Sequence, residues 1–221
     1  MNLCKKVALI GLDGSGKSAN KKRMKKDSDY SKYEFAWVRW KPLLLKPAYF
    51  IMNKKIRNKK TNNNADDLNK NYQQKKNIKR KLFKNHLIRK SWILLVLVDY
   101  LLQFYVKNFK ALLMRKNIVF NRFYIDLFID QGINFNYSTK EIIKLIKKYR
   151  FLFPKIDKYI YIKVSPEVCF SRKDDIPNME YLTKRYEIYE ELSKENNWYV
   201  VNGKEELDVV YNKIKEIILN N

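Results

Sequence analysis

Histidine, cysteine and glycine are scarce in this 221-residue chain, which has one, two and five of them. A single histidine, His86, with no second histidine or cysteine close in sequence, excludes the common zinc-binding patterns and reads as a solvated or packing side chain. Two widely separated cysteines, Cys4 and Cys169, exclude a disulfide framework and fit a reducing cytoplasm. Long uncharged runs are also missing. The stretch Ser91 to Val98 falls far short of the roughly 18 residues of a membrane span, and Asp99 interrupts it. The run from Val7 to Leu12 is too short for a secretory core and passes straight into glycines. Carboxylates are the last shortage: 23 Asp and Glu face 47 Lys and Arg, a formal net charge of +24. Such a surface attracts polyanions. The excess is dispersed along a chain also rich in asparagine and isoleucine, so it reads as compositional drift rather than a specific nucleic-acid surface, while still favouring small anions.

What is present is enough for a core. A content of 46% hydrophobic and 14% aromatic residues excludes a disordered chain. At roughly 150 residues per domain, residues 1–221 read as one domain. Val7 to Ile10 is a continuous apolar run, the mark of a strand buried on both faces. Further strands are expected at Phe35 to Trp40, Ile118 to Phe120, Tyr159 to Val164 and Trp198 to Val201. Helices are expected over 17–26, 139–150, 166–172 and 205–219. Strands alternating with helices predict a doubly wound α/β domain built on a parallel sheet. Leu87 to Val106 is apolar on every side of a helical wheel and is expected to be a core helix. Asp99 inside it needs a partner or an aqueous cavity, and is expected to point into a site. Residues 54–81, dense in Lys and Asn, read as an exposed insertion. Leu43 to Leu45 and Tyr49 to Met52, flanked by lysines, read as a core helix, with a peripheral membrane contact as the lesser alternative.

The chemistry is concentrated in Gly11-Leu12-Asp13-Gly14-Ser15-Gly16-Lys17-Ser18, which fits the phosphate-binding pattern G-x-x-x-x-G-K-[ST] between an expected strand and an expected helix. Successive backbone N–H groups and the helix N-terminus there can wrap a β-phosphate. Lys17 would neutralise the β- and γ-phosphates, and the Ser18 hydroxyl would ligate Mg²⁺.

Val7 to Ser18, VALIGLDGSGKS, resembles the phosphate loop of thymidylate kinases, with an acidic residue at Asp13. Ile118 to Gly132, IVFNRFYIDLFIDQG, is similar to that family's strand ending in Asp-Arg-Tyr and the helix after it. Tyr159 to Arg172, YIYIKVSPEVCFSR, is similar to the strand, Ser-Pro-Glu turn and helix leading into its lid, and WYVVNG to its last strand. The resemblance implies a five-stranded parallel sheet with a short lid, ATP- and Mg²⁺-dependent phosphoryl transfer to a small phosphorylated acceptor such as thymidine monophosphate, and, in many members, a homodimer. It implies that Arg122 grips the acceptor phosphate and that Arg39 does the same. Arg172, with Lys173 beside it, would bridge donor and acceptor. Asp13 would bond a sugar hydroxyl, and Asn202 and Gly203 would lie near adenine.

There are departures. The family's aspartate before the strand-end arginine is replaced by Asn121, which can orient a magnesium-bound water but brings no charge. The family's thymine-stacking phenylalanine and base-binding arginine are replaced by Val96 and Tyr100. Tyr124, Asp126 and Asp130 follow Arg122, with the two carboxylates on one helical face, where they could bind sugar hydroxyls or a cation. Two rival readings stay open: the same machinery acting on a sugar phosphate or glycan precursor, and a weakly active or inactive basic nucleotide-binding protein.

Overall fold

The computed structural model describes residues 5–48 and 83–220 together with Phe50, Gln73, Asn77 and Lys81. The Lys/Asn-rich segment at about 54–81 lies almost wholly outside the described residues, as do Cys4, Tyr49, Ile51 and Met52.

Five strands, β1 (Lys6–Ile10), β2 (Tyr33–Trp37), β3 (Asn117–Asn121), β4 (Lys158–Lys163) and β5 (Tyr199–Asn202), form one sheet in the order β2-β3-β1-β4-β5. Every pairing is parallel. β1 is central because its run Val7-Ala8-Leu9-Ile10 can be buried on both faces, and all four residues are fully buried. Strand alternation divides it between two cores. Val7 and Leu9 join Met24, Ile214 and Ile218 on the side of α1 (Lys17–Met24) and α7 (Leu207–Leu219). Ala8 and Ile10 join the larger cluster on the opposite face, formed with α2 (His86–Leu113), α3 (Tyr124–Asn134), α4 (Thr139–Tyr149), α5 (Pro166–Ser171) and α6 (Met179–Glu195). Helix starts follow local chemistry. Ser138 and Glu141 form a reciprocal capping box for α4, Asn178 accepts from Tyr181 N at the start of α6, and Pro166 opens α5.

β2 begins and ends earlier than the sequence predicts. It is an edge strand whose sole neighbour, β3, ends at Asn121 opposite Trp37, so the ladder stops there and Arg39 falls beyond it.

The core-helix reading of α2 holds for one side only. Ile93, Val96, Leu97, Tyr100 and Phe104 are buried, whereas Leu94, Leu95, Val98, Leu102, Val106 and Phe109 are about half exposed or more. Leu43, Leu44 and Phe50 are likewise exposed, not core. No helix among the described residues is long and apolar enough to cross a membrane.

Candidate active site

The sheet order places the functional loops together. β1 sits beside β4, and the connection from β1 runs to β2 on one flank while that from β4 runs to β5 on the other, which opens a crevice at the C-terminal ends of the strands. The loop from Gly11 to Gly16 lies in that crevice and runs into α1. Its turns need glycine: Gly14 and Gly16 both have φ near +91°, and a Cβ on Gly14 would lie 2.7 Å from the backbone oxygen of Cys169. That close approach packs the loop against α5, with Cys169 buried beneath it.

Lys17 is buried and folds back over its own loop. Its Nζ donates to the carbonyls of Gly11 and Leu12 and to Ser15 Oγ at 2.8, 2.5 and 3.1 Å. Burial brings its ammonium down from 10.5 to about 8, with Asp126 and Cys169 opposing. Ser18, the next residue, is exposed.

Arg122 follows β3 with φ +69°, a left-handed conformation uncommon outside glycine, and its backbone N–H donates to Leu9 O of β1. Its guanidinium donates to Asp13 through Nη2 and to Asp126 Oδ1 through Nη1, the latter at 3.2 Å. Burial works against the Arg122 charge, but Asp126, followed by Tyr189 and Tyr181, more than restores it and holds the group above its ordinary value.

A cleft of about 350 Å³ opens over these groups, lined by Asp13, Gly14, Gly16, Lys17, Ser18, Ala19, Trp37, Arg39, Arg122, Arg172 and Lys173. The structure thus brings together the loop, the exposed Arg39 beyond β2, Arg122, and the Arg172-Lys173 pair after α5. Arg172 Nη1 donates to Gly203 O at 3.2 Å, tying the first residue after α5 to the loop after β5. A Cβ on Gly203 would lie 3.3 Å from Ser15 O, so that loop is packed against the phosphate loop, and Asn202 accepts from Lys204 N beside it.

Four residues expected at the substrate lie elsewhere. Asp99 does not open into the cleft. Its two oxygens accept from Trp40 Nε1, the N–H groups of Leu43 and Leu44, and Gln103 Nε2, so it is an internal anchor for the segment after β2. Tyr100 is buried and donates its hydroxyl to Val38 O. Tyr124 is buried against Phe153, stacked at 4.4 Å, on the side of the sheet where β4 and β5 begin. Asp126 is 4% exposed. Its oxygens accept from Arg122, from Phe123 N and from the Tyr189 hydroxyl, which leaves no face for a sugar. Asp130 pairs with Arg185.

Three residues of α6 that partner Asp13, Asp126 and Asp130 escaped the sequence reading. Tyr181, Arg185 and Tyr189 recur at a spacing of four and so share one helical face. The Tyr181 hydroxyl donates to Asp13 Oδ2 at 3.2 Å, and the Arg185 guanidinium lies 4.2 Å over the Tyr181 ring. The signal that could have revealed them was that spacing, after a helix-opening Asn178.

No family model matches the chain. Among curated proteins it is similar to thymidylate kinase from Prochlorococcus marinus strain AS9601, 30% identical over 111 residues that cover 47% of this chain and 52% of the relative. The corresponding protein of strain MIT 9301 is 29% identical over 111 residues. The chain spans about half the length of the curated relatives it matches. Among solved structures, deoxyadenosine kinase from M. mycoides with bound dATP superposes with a TM-score of 0.56 at 20% identity, covering 98% of this chain and 100% of the other. Thymidylate kinase from Ehrlichia chaffeensis superposes with a TM-score of 0.56 at 14% identity, covering 96% and 97%. The chain thus shares the α/β fold of these solved structures over nearly its whole length, and over the matched half its sequence is similar to thymidylate kinase.

Proposed function

We propose that the protein transfers the γ-phosphoryl group of ATP to the phosphate of a nucleoside monophosphate. One observation carries this reading: the charge balance of the cleft. Lys17, Arg39, Arg122, Arg172 and Lys173 line it against a single carboxylate among the described lining residues, Asp13, which is already paired with Arg122 and Tyr181. A hydroxyl acceptor needs a free base to take its proton, whereas a phosphate acceptor arrives ionised and needs cations. The cleft supplies cations on both sides of the loop, Arg39 and Arg122 for the acceptor, Lys17 for the donor and Arg172 to bridge the two, and arginine suits the two-pronged grip on phosphate.

Magnesium fits the residues present. Ser18 is exposed beside the loop, and Asn121 is 3% exposed with an Oδ1 that has no hydrogen-bond donor within reach, an acceptor available to a metal-bound water. When bound with ATP, the ion would neutralise charge on the β- and γ-phosphates. Lys17 would leave its loop carbonyls for those phosphates, and Arg122 would exchange Asp13 for the acceptor phosphate.

Thymidine monophosphate is the first acceptor to test because of the curated relatives. Val96 and Tyr100 are both buried and offer a base no contact, so monophosphates of other bases belong in the same assay. The test incubates protein, ATP and Mg²⁺ with thymidine, deoxyuridine, deoxycytidine and uridine monophosphates, deoxyadenosine and several sugar phosphates, following new phosphoanhydride and phosphomonoester signals by phosphorus NMR. A new diphosphate from a nucleoside monophosphate is the expected result. Turnover confined to the nucleoside, or to a sugar phosphate, would overturn the reading.

A further inference from the structure

We infer that Tyr189, acting through Asp126, is a positioning residue that keeps one edge of the Arg122 guanidinium available to the acceptor phosphate. This rests on the functional reading above.

The geometry begins with the backbone. Arg122 is fixed by its bond to Leu9 O and by its left-handed conformation, so the direction of its guanidinium depends on its side-chain torsions alone. Asp126, one helical turn on, is the carboxylate that meets it from below. An unconstrained carboxylate opposite an arginine favours the two-pronged arrangement, with both oxygens on both terminal nitrogens. Here two donors, one on each oxygen, fix the orientation of the carboxylate and hold it away from that arrangement. Oδ2 accepts from Phe123 N at 3.2 Å, and Oδ1 accepts from the Tyr189 hydroxyl at 2.7 Å. Asp126 therefore gives Arg122 a single bond, to Nη1. Nη2 is left pointing across the cleft, where Asp13 holds it.

Tyr189 is well placed to enforce this division. It is 1% exposed, its ring lies 5.8 Å from that of Tyr161 on β4, and α6 is clamped to α3 one turn earlier by Arg185 and Asp130. Burial raises its phenol well above the ordinary value, so it remains a donor across the working pH range. Without the hydroxyl, Asp126 keeps only the longer bond from Phe123 N to fix its orientation and can rotate toward the two-pronged pairing, which draws the arginine away from the cleft.

The experiment uses Tyr189→Phe, which keeps the ring and its packing. Wild type and variant are titrated calorimetrically with thymidine monophosphate and, separately, with ATP and Mg²⁺, and steady-state rates are measured from pH 6 to 9. The expected result is a rise of about tenfold in the acceptor Kd and KM, the scale of one hydrogen bond to a charged group. ATP affinity and the shape of the pH profile should stay unchanged. Asp126→Asn combined with Tyr189→Phe should be no worse than Asp126→Asn alone, because both act through one chain of contacts. Equal losses of acceptor and ATP binding, no loss of either, or additive effects in the double variant would overturn the inference. If wild type binds no monophosphate in the panel above, the functional reading fails and this inference with it, a result visible before any variant is made.

Discussion

Replacing Lys17 with methionine should abolish phosphoryl transfer and make the empty protein more stable. Lys17 is 5% exposed, and its pKa falls from 10.5 to about 8, chiefly through burial. That depression corresponds to roughly 3 kcal/mol lost at neutral pH by folding around a charged rather than a neutral group. The sign follows from proton counting. Below pH 8 the lysine is charged in both states and the full cost is present; between about 8 and 10.5 the unfolded chain holds the extra proton, so stability rises with pH. Above 10.5 both states are neutral and the cost vanishes. Methionine has nearly the same length and no charge, and should raise Tm by about 6–12 °C at pH 7, given the 2–4 °C per kcal/mol usual for a chain this size. Thermal unfolding without nucleotide at pH 7, 9 and 10.5 is the assay, and the gap between variant and wild type should narrow as pH rises. A variant that melts below wild type at pH 7, or a gap indifferent to pH, would refute the argument that burial of Lys17 strains the empty loop.

Three shorter predictions follow from the same contacts. Asp99→Ala leaves the N–H groups of Leu43 and Leu44 and the Trp40 indole without their acceptor, so a stability loss of about 2–4 kcal/mol is expected in chemical denaturation, with ATP affinity unchanged. Gly14→Ala forces a Cβ to 2.7 Å from Cys169 O at φ +91°, and should cost at least about 2 kcal/mol and weaken ATP binding more than tenfold by calorimetry. Arg39→Ala removes an exposed cleft cation, so acceptor KM should rise about tenfold or more while Tm stays within a degree.

The parts of the molecule legible in its sequence are those written in a few consecutive residues. Val7 to Ile10 could only be a doubly buried strand, the spacing from Gly11 to Ser18 carried its own chemistry, and Arg122 stood out through the resemblance of Ile118 to Gly132 to a known strand and helix. The misreadings concern polar residues in apolar surroundings. A carboxylate such as Asp99 or Asp126 declares that it needs a partner, but not which one. Trp40 lies 59 residues from Asp99, and Tyr189 lies 63 from Asp126, separations no local pattern spans. The same limit explains α2: a helix apolar all round states how much surface needs cover, not how much the rest of the chain supplies.

The position of β1 between β3 and β4 has a consequence for how such a cleft can change. The side chains assigned to the acceptor, Arg39 and Arg122, hang from β2 and β3 on one flank of the loop. Arg172 and the Gly203 loop hang from β4 and β5 on the other. Substitutions in the edge strand β2 and the segment after it can redraw which acceptor fits while the nucleotide grip is left intact, so the two halves of the cleft are separately adjustable parts. The central strand and its glycine-rich loop are the fixed hinge pin they share, the one place where a change alters both at once.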